Sequence, residues 1–179
     1  MTQDELKALV GAAATAYVVP GAVIGVGTGS TVNCFIDALA AMKVRVAGAV
    51  SSSEASTLRL RAHGIEVLDS NRVERIPVYI DGADEVDVAT LNLLKGGGGA
   101  LLREKIGASA SGRMIVIVDE TKLVTCLGVH GLVVVEGVPV GGQAKAKQLR
   151  ERFGVGARRA TPAGATGVRA GVGAIWIVI

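Results

Sequence analysis

Aromatic rings are scarce in this sequence: Tyr17, Tyr79, Phe35, Phe153 and Trp176 are the only five among 179 residues. A chain so poor in rings cannot build the stacking platforms that grip single-stranded nucleic acid. Cysteine is scarcer still. Cys34 and Cys126 stand far apart, outside any CxxC or histidine-rich spacing, and read as two reduced, buried thiols of a cytosolic protein. No apolar run reaches the ~18 residues of a membrane span. Met1 opens onto Thr-Gln-Asp-Glu rather than a basic and then apolar leader. These absences lead us to expect a soluble, cytoplasmic protein with no membrane partner. The end of the chain lacks negative charge: residues 141–179 hold 7 Lys or Arg against the single Glu151, whereas residues 1–140 hold 12 against 15 Asp or Glu. No DNA-reading module accompanies the basic stretch. It reads as a solvated face, and no nucleic-acid partner is expected.

What the sequence has in quantity is small and aliphatic. Half of its residues are hydrophobic, mostly Ala, Val, Leu and Ile, which suits buried parallel strands covered by helices. Thr2 and Glu5 form a capping-box pattern that opens a helix running to about Val18, stopped by Pro20-Gly21. Strands are expected at 22–26, 44–50, 65–68, 77–80 and 114–118, with helices at about 31–41, 51–63 and 100–110 between them. This alternation predicts a doubly wound, mainly parallel, Rossmann-like α/β sheet. Ligands of such sheets sit beyond the carboxyl ends of the strands. Thr28–Thr31, Ser51–Ser53, Asp81–Asp84 and Asp119–Lys122 all fall at such ends. Past residue 130 the pattern thins to a strand at 132–135, a basic helix at 143–153, a loop-like 159–173 and an apolar end, 174–179, left as an unpaired strand.

The segment VIGVGTGSTV invites a dinucleotide reading, but the fingerprint would need glycine where Ser30 stands, and no G-K-[ST] element follows. It serves better as a phosphate loop. Gly27 and Gly29 let the backbone approach, and Thr28, Ser30 and Thr31 bring hydroxyls to a helix N-terminus. Further on, DGADEVDVATLNLLKGGGGALLREKI gathers acids, a cation and bare backbone. Asp81 and Asp84 flank the small Gly82 and Ala83, leaving room for a ligand. Such acids could hold magnesium, but Lys95 would compete with a cation, and a polyol would welcome both. Glu85 and Asp87 fit an acidic turn in solvent. Lys95 followed by Gly96, Gly97 and Gly98 offers an amide nest for an oxyanion. Glu104 lies about one turn into the next helix; were it to face the crevice, burial would tune it as a general base. His63 and His130 belong to no constellation and read as structural or exposed. Together these parts suit moving a proton between adjacent carbons of a sugar phosphate.

In their order, GVGTGST, SSSEAS, YIDGADEVD, KGGGGALLREK and VDETKLV resemble ribose-5-phosphate isomerase of type A, over about residues 1–135. The resemblance implies an intramolecular oxidoreductase interconverting ribose 5-phosphate and ribulose 5-phosphate in the pentose phosphate pathway, through a cis-enediolate and without metal or organic cofactor. It implies that Thr28–Thr31, including Gly29, hold substrate with Ser30 and Thr31 at the phosphate, that Lys7 reaches the same phosphate, and that Lys122 is a further substrate-contacting lysine. Asp81 would assist ring opening and Asp84 would position sugar hydroxyls, on either side of Gly82 and Ala83. Lys95 with the amides of Gly96–Gly98 would stabilise the enediolate, and Glu104 would shuttle the carbon proton. A homodimer or homotetramer is implied as well. Residues 1–130 would form the Rossmann-like catalytic domain and 131–179 a partial small α/β domain. This last part lacks the family's T-D-N-G-N-like segment and is shorter than in family members. A non-catalytic sugar-phosphate-sensing domain, an amino-sugar-phosphate deaminase-like isomerase and a truncated isomerase of impaired activity are the alternatives.

Overall fold

The structure, a computed structural model, describes residues 1–42, 46–130, 133–137, 142–154, 158–160 and 175–178. Along the chain come α1 (Gln3–Ala14), β1 (Val23–Val26), α2 (Ser30–Ala41), β2 (Gly48–Ser51), α3 (Glu54–Ala62) and β3 (Val78–Asp81). Two short strands, β4 (Glu85–Asp87) and β5 (Leu93–Leu94), precede α4 (Leu101–Ser109), β6 (Met114–Val116) and β7 (Leu123–Val124). The last described elements are β8 (Val134–Gly137), α5 (Gly142–Phe153), β9 (Arg158–Ala160) and β10 (Ile175–Val178). By its contacts the chain groups into two compact units, Met1–Ala83 with Leu102–Leu123 and Asp84–Leu101 with Val124–Ile179.

The first unit is the parallel sheet that the alternation predicts, in the order β2-β1-β3-β6. Its strands read as short apolar runs because helices take both faces from water. Val26 and Ile80 from the strands, Val32, Phe35 and Ile36 from α2 and Leu60 from α3 have no exposed surface. Each such side chain contributes about 1.5–3 kcal/mol by leaving water. The expected capping box opens α1: the Thr2 side chain accepts from the Glu5 amide, and the Glu5 carboxylate accepts from the Thr2 amide at 2.7 Å. Beyond Ala14 the coil tightens into a 3-10 turn, Thr15–Tyr17, and so reaches the expected end near Val18. Gly11 lets α1 lie on α2 backbone to backbone, since a Cβ there would sit 2.7 Å from the Cys34 carbonyl carbon.

Several expected boundaries move. The strand expected at 44–50 is Gly48–Ser51, and residues 43–45 lie outside the described residues. The strand expected at 65–68 is a single parallel bridge, Ala49 with Val67. Pairing stops there because Asp69 turns the chain at once, its carboxylate accepting from the Asn71 amide at 2.9 Å. Both cysteines are free, but neither is buried: Cys34 is half-buried on α2 and Cys126 is exposed in the turn after β7.

In the second unit the stretch read as an acidic turn contains a strand. β4 pairs antiparallel with β5, Glu85 opposite Leu94, and the Val88 amide donates to the Val124 carbonyl of β7 at 3.1 Å. A further antiparallel sheet has the order β8-β10-β9. The apolar end strand expected to lie unpaired is therefore the middle strand of three, hydrogen-bonded on both sides. Its partners are remote in sequence, so no local signal announced them. β9 overlaps the start of the stretch expected to be loop, 159–173, whose residues 161–173 lie outside the described residues, as does residue 174 of the expected end strand. The basic helix behaves as a solvated face: α5 turns Ala146 and Leu149 toward Val135, while Lys145 and Lys147 stay exposed. Among the described residues no helix is long and apolar enough to cross a membrane.

Candidate active site

In the first unit, four parallel strands deliver their carboxyl ends to one edge. After β1 the chain makes the glycine turn 27–29. Gly29 takes φ +120°, a conformation that side chains rarely adopt, and leads into α2 as its N-cap without a side-chain hydrogen bond. The first amides of a 12-residue helix are thus left unclaimed by its cap, with Ser30 exposed and Thr31 half-buried beside them. The neighbouring loops lock onto this turn. Thr28 and Ser52 share a hydrogen bond at 3.2 Å, and the Ser56 hydroxyl donates to the Gly27 carbonyl at 2.7 Å. Ser53 caps α3 through the Ser56 amide, which gives the serine-rich stretch its structural reason.

Asp81 ends β3 with no exposed surface. Its Oδ1 accepts from the Thr28 amide at 3.1 Å and the Gly82 amide at 2.8 Å. Gly82 and Ala83 follow it, half-buried. From α4, Glu104 is also buried, at 4 % exposure, so the residue expected one turn into this helix is an interior carboxyl. Tyr79, two residues before Asp81, is buried between β1 and α4. Burial, and next the Asp81 charge, push its phenol far above the ordinary tyrosine range, so it stays protonated.

Lys7 and Lys122 come together electrostatically around a residue not singled out from the sequence, the buried Asp119. Burial pushes the Asp119 carboxyl up, but hydrogen bonds from Thr121 and the charges of Lys122 and Lys7 outweigh it and hold the group low. Gln3 of α1 donates to Thr121 Oγ1 at 3.2 Å, tying the first helix to this loop. The Asp-x-Thr spacing after β6 was the available signal, because aspartate turns back on an amide two residues ahead.

The remaining candidates belong to the second unit, which the chain enters at Ala83–Asp84 and leaves at Leu101–Leu102. There Asp84 Oδ2 accepts from the Gly97 amide at 2.8 Å, and a Cβ on Gly97 would lie 2.8 Å from Asp84 Oδ1. Gly96, at φ +116°, and Gly99, at φ +83°, bend the loop, and the Gly99 amide closes it on the Gly96 carbonyl at 3.0 Å. Lys95 is half-buried, Gly96 buried, and Gly97 and Gly98 exposed. The aspartate and the glycine loop thus form one structure, with the Gly97 amide engaged by Asp84.

One expectation is overturned here. Glu85 is not an acid in solvent but 1 % exposed, and its carboxylate accepts from the amides of Gly128 and His130. Burial pushes it up, yet the His130 and Gly128 amides outweigh burial and leave it below the ordinary glutamate range. Asp87, half-buried, shapes the next turn through the Ala89 amide and the Thr90 hydroxyl. His63 is exposed and bonded to Asp37, and His130 is exposed. A lowered carboxyl stabilises the folded state above its unfolded pKa of about 4.3, and that contribution is lost as pH falls through the lower folded value. Glu85→Gln is therefore expected to melt at a lower temperature than the parent at pH 7. The gap should close in melts taken below pH about 4.

Among the described residues no group of three or more His, Cys, Asp or Glu side chains could hold a metal ion. Fold and site define an α/β protein in which the start of α2, its first amides unclaimed by a side-chain cap, belongs to the same unit as the interior carboxyls Asp81 and Glu104. The family model for ribose 5-phosphate isomerase A (phosphoriboisomerase A) matches residues 48–170. Ribose-5-phosphate isomerase A of Leptothrix cholodnii is 61% identical over 154 residues, covering 86% of this chain and 67% of that protein. The same-named protein of a Polaromonas species is 60% identical over 149 residues, 83% of this chain and 61% of its own length. A solved D-ribose-5-phosphate isomerase in complex with phospho-erythronic acid superposes with a TM-score of 0.91 at 34% identity, covering 99% of this chain and 79% of that one. The chain belongs to the ribose 5-phosphate isomerase A family. It spans about two thirds or less of the length of these two curated relatives.

Proposed function

We propose that this chain interconverts D-ribose 5-phosphate and D-ribulose 5-phosphate through a cis-enediolate, as an enzyme of the non-oxidative pentose phosphate pathway. The observation that carries this reading is the burial of Asp81, which accepts from the Thr28 amide just before α2, together with the burial of Glu104 on α4. A sensing domain needs the anion site but has no use for an interior glutamate at 4 % exposure. The relative bound to phospho-erythronic acid, a phosphorylated sugar acid, supports the substrate class.

In this reading the phosphate rests on the α2 amides with Thr28, Gly29, Ser30 and Thr31, balanced by Lys7, and Lys122 makes a further contact to the substrate. Asp81 helps open the furanose by moving a proton on oxygen, and Asp84 orients the sugar hydroxyls past Gly82 and Ala83. Glu104 takes the C2 proton of the open aldose and returns it to C1, while the hydroxyl proton moves from O2 to O1. Lys95 and the Gly96–Gly98 amides, the middle one shared with Asp84, lower the energy of the enediolate. No metal or organic cofactor takes part. These groups all precede residue 123, and in this reading residues 1–130 are the catalytic domain and 131–179 the small α/β domain. This division by sequence differs from the contact units, where Asp84–Leu101 groups with Val124–Ile179. The protein works as a homodimer or homotetramer in the cytoplasm.

The test is turnover of ribose 5-phosphate by the purified chain, with and without a chelator, beside its mass in solution. Equal rates in both are expected. Ser30→Ala with Thr31→Ala is expected to raise KM by about tenfold, the worth of one to two hydrogen bonds to a charged group. No turnover by the parent chain, or an unchanged KM in the double variant, contradicts the assignment.

A further inference from the structure

β1 runs parallel to β2 with Val26 in register with Ser51, so the turns that follow the two strands leave the sheet side by side. Ser52 stands in the second of these turns and Ser56 in the first turn of α3, 3 % and 1 % exposed. Both belong to the serine-rich segment, which the proposed chemistry leaves without a role. The Ser52 amide donates to the Val26 carbonyl at 3.0 Å, and its hydroxyl shares a hydrogen bond with the Thr28 hydroxyl at 3.2 Å. Between these two bonds, the Ser56 hydroxyl donates to the Gly27 carbonyl at 2.7 Å. Ser53 donates to the Ser56 hydroxyl at 3.0 Å, which leaves the Ser56 proton for Gly27. One segment thus holds three successive residues at the end of β1 and the start of its turn.

The other side of the turn is tied to β3. The Gly27 amide donates to the Ile80 carbonyl at 2.8 Å and the Thr28 amide to Asp81 Oδ1 at 3.1 Å. Residues 27 and 28 are therefore engaged from both sides, whereas the amides that start α2 next along the chain have no side-chain cap. A turn with glycine at 27 and 29 would otherwise have much conformational freedom to lose on closing round a ligand. Bonds that fix it beforehand take that cost out of binding.

We propose that Ser52 and Ser56 are positioning residues for phosphate binding, holding the turn 27–29 in the form that presents the first amides of α2 to the anion. This rests on the isomerase reading above for the phosphate as ligand. Buried as they are, the two hydroxyls act through Gly27 and Thr28 and not by touching substrate.

Ser56→Ala removes only the donor to Gly27. The dissociation constant of inorganic phosphate, measured by titration calorimetry on the purified chain, should rise about three- to tenfold. KM for ribose 5-phosphate should rise by the same factor while kcat stays within about twofold of the parent, since no reacting group is touched. Leu60→Val trims the core further along α3 and leaves these hydrogen bonds in place, so it should lower the melting temperature and keep parental phosphate affinity. Parental phosphate affinity in Ser56→Ala, or equal weakening in Leu60→Val, overturns the proposal and leaves the serines a part in stability alone. Should Ser56→Ala not fold, Ser52→Ala meets the same measurements with the same outcomes expected. A parent chain that binds no phosphate overturns the proposal as well. One that binds phosphate but turns nothing over fails the isomerase reading, and calorimetry still decides what the serines do.

Discussion

Glu104→Gln is expected to leave a folded protein that binds ribose 5-phosphate and turns it over slower by about 10²- to 10⁴-fold. The substitution is nearly isosteric, so the packing of α4 on the Tyr79 ring through Gly107 survives it. What it removes is the capacity to accept a proton from carbon. Binding is served by other groups, in this reading the start of α2 with Ser30 and Thr31, so KM should change far less than kcat. Solvent exchange of a deuteron placed at C2 gives a second measure of the same step, since a base that shuttles the proton also leaks it. Exchange and turnover should fall together. Near-parental turnover would remove Glu104 from the role of base and leave its burial as a packing feature.

How much of this was legible in the sequence depends on how local each cause is. The glycine turn after β1, the capping of α1 and the acid ending β3 are decided by neighbours within a few residues, and the sequence carries them openly. Glu104 was legible only as a position one turn into a helix; that it faces inward depends on Gly107 meeting a ring from another strand. Glu85 was misread for the same reason. Beside Asp81, Asp84 and Asp87 it is one more acid, and the amides that bury it, those of Gly128 and His130, lie more than forty residues away. That the strand expected at 65–68 pairs only through Val67, and that β10 pairs on both sides, was not legible because strand pairing is a tertiary fact written in no local pattern. Asp119 stood in view at a strand end, but its link to Lys7 needs the start of α1 to lie against the loop after β6.

The alternation of glycine along β1 leads to the other large effect expected, in Gly27→Ala. A Cβ there would fall 2.0 Å from Asp81 Oδ1 and 2.1 Å from its Cγ, so one side must move. The backbone just after β1 is held: the Gly27 amide donates to the Ile80 carbonyl at 2.8 Å and its carbonyl accepts from Ser56 at 2.7 Å. Asp81 is held by the amides of Thr28 and Gly82 and has no solvent to swing into. Forcing an extra methyl into such a place costs about 1–3 kcal/mol, seen as a lowered melting temperature. Activity should suffer more than stability, because a displacement of about 1 Å at a reacting group costs on the order of a hundredfold in rate. Gly29 provides the contrast, since a Cβ there meets nothing within 4 Å and only the backbone conformation resists it. Thermal melts and kcat for Gly27→Ala check the two effects separately. A variant that melts and turns over like the parent would mean that Asp81 is free to adopt another position, and would unseat it from the site.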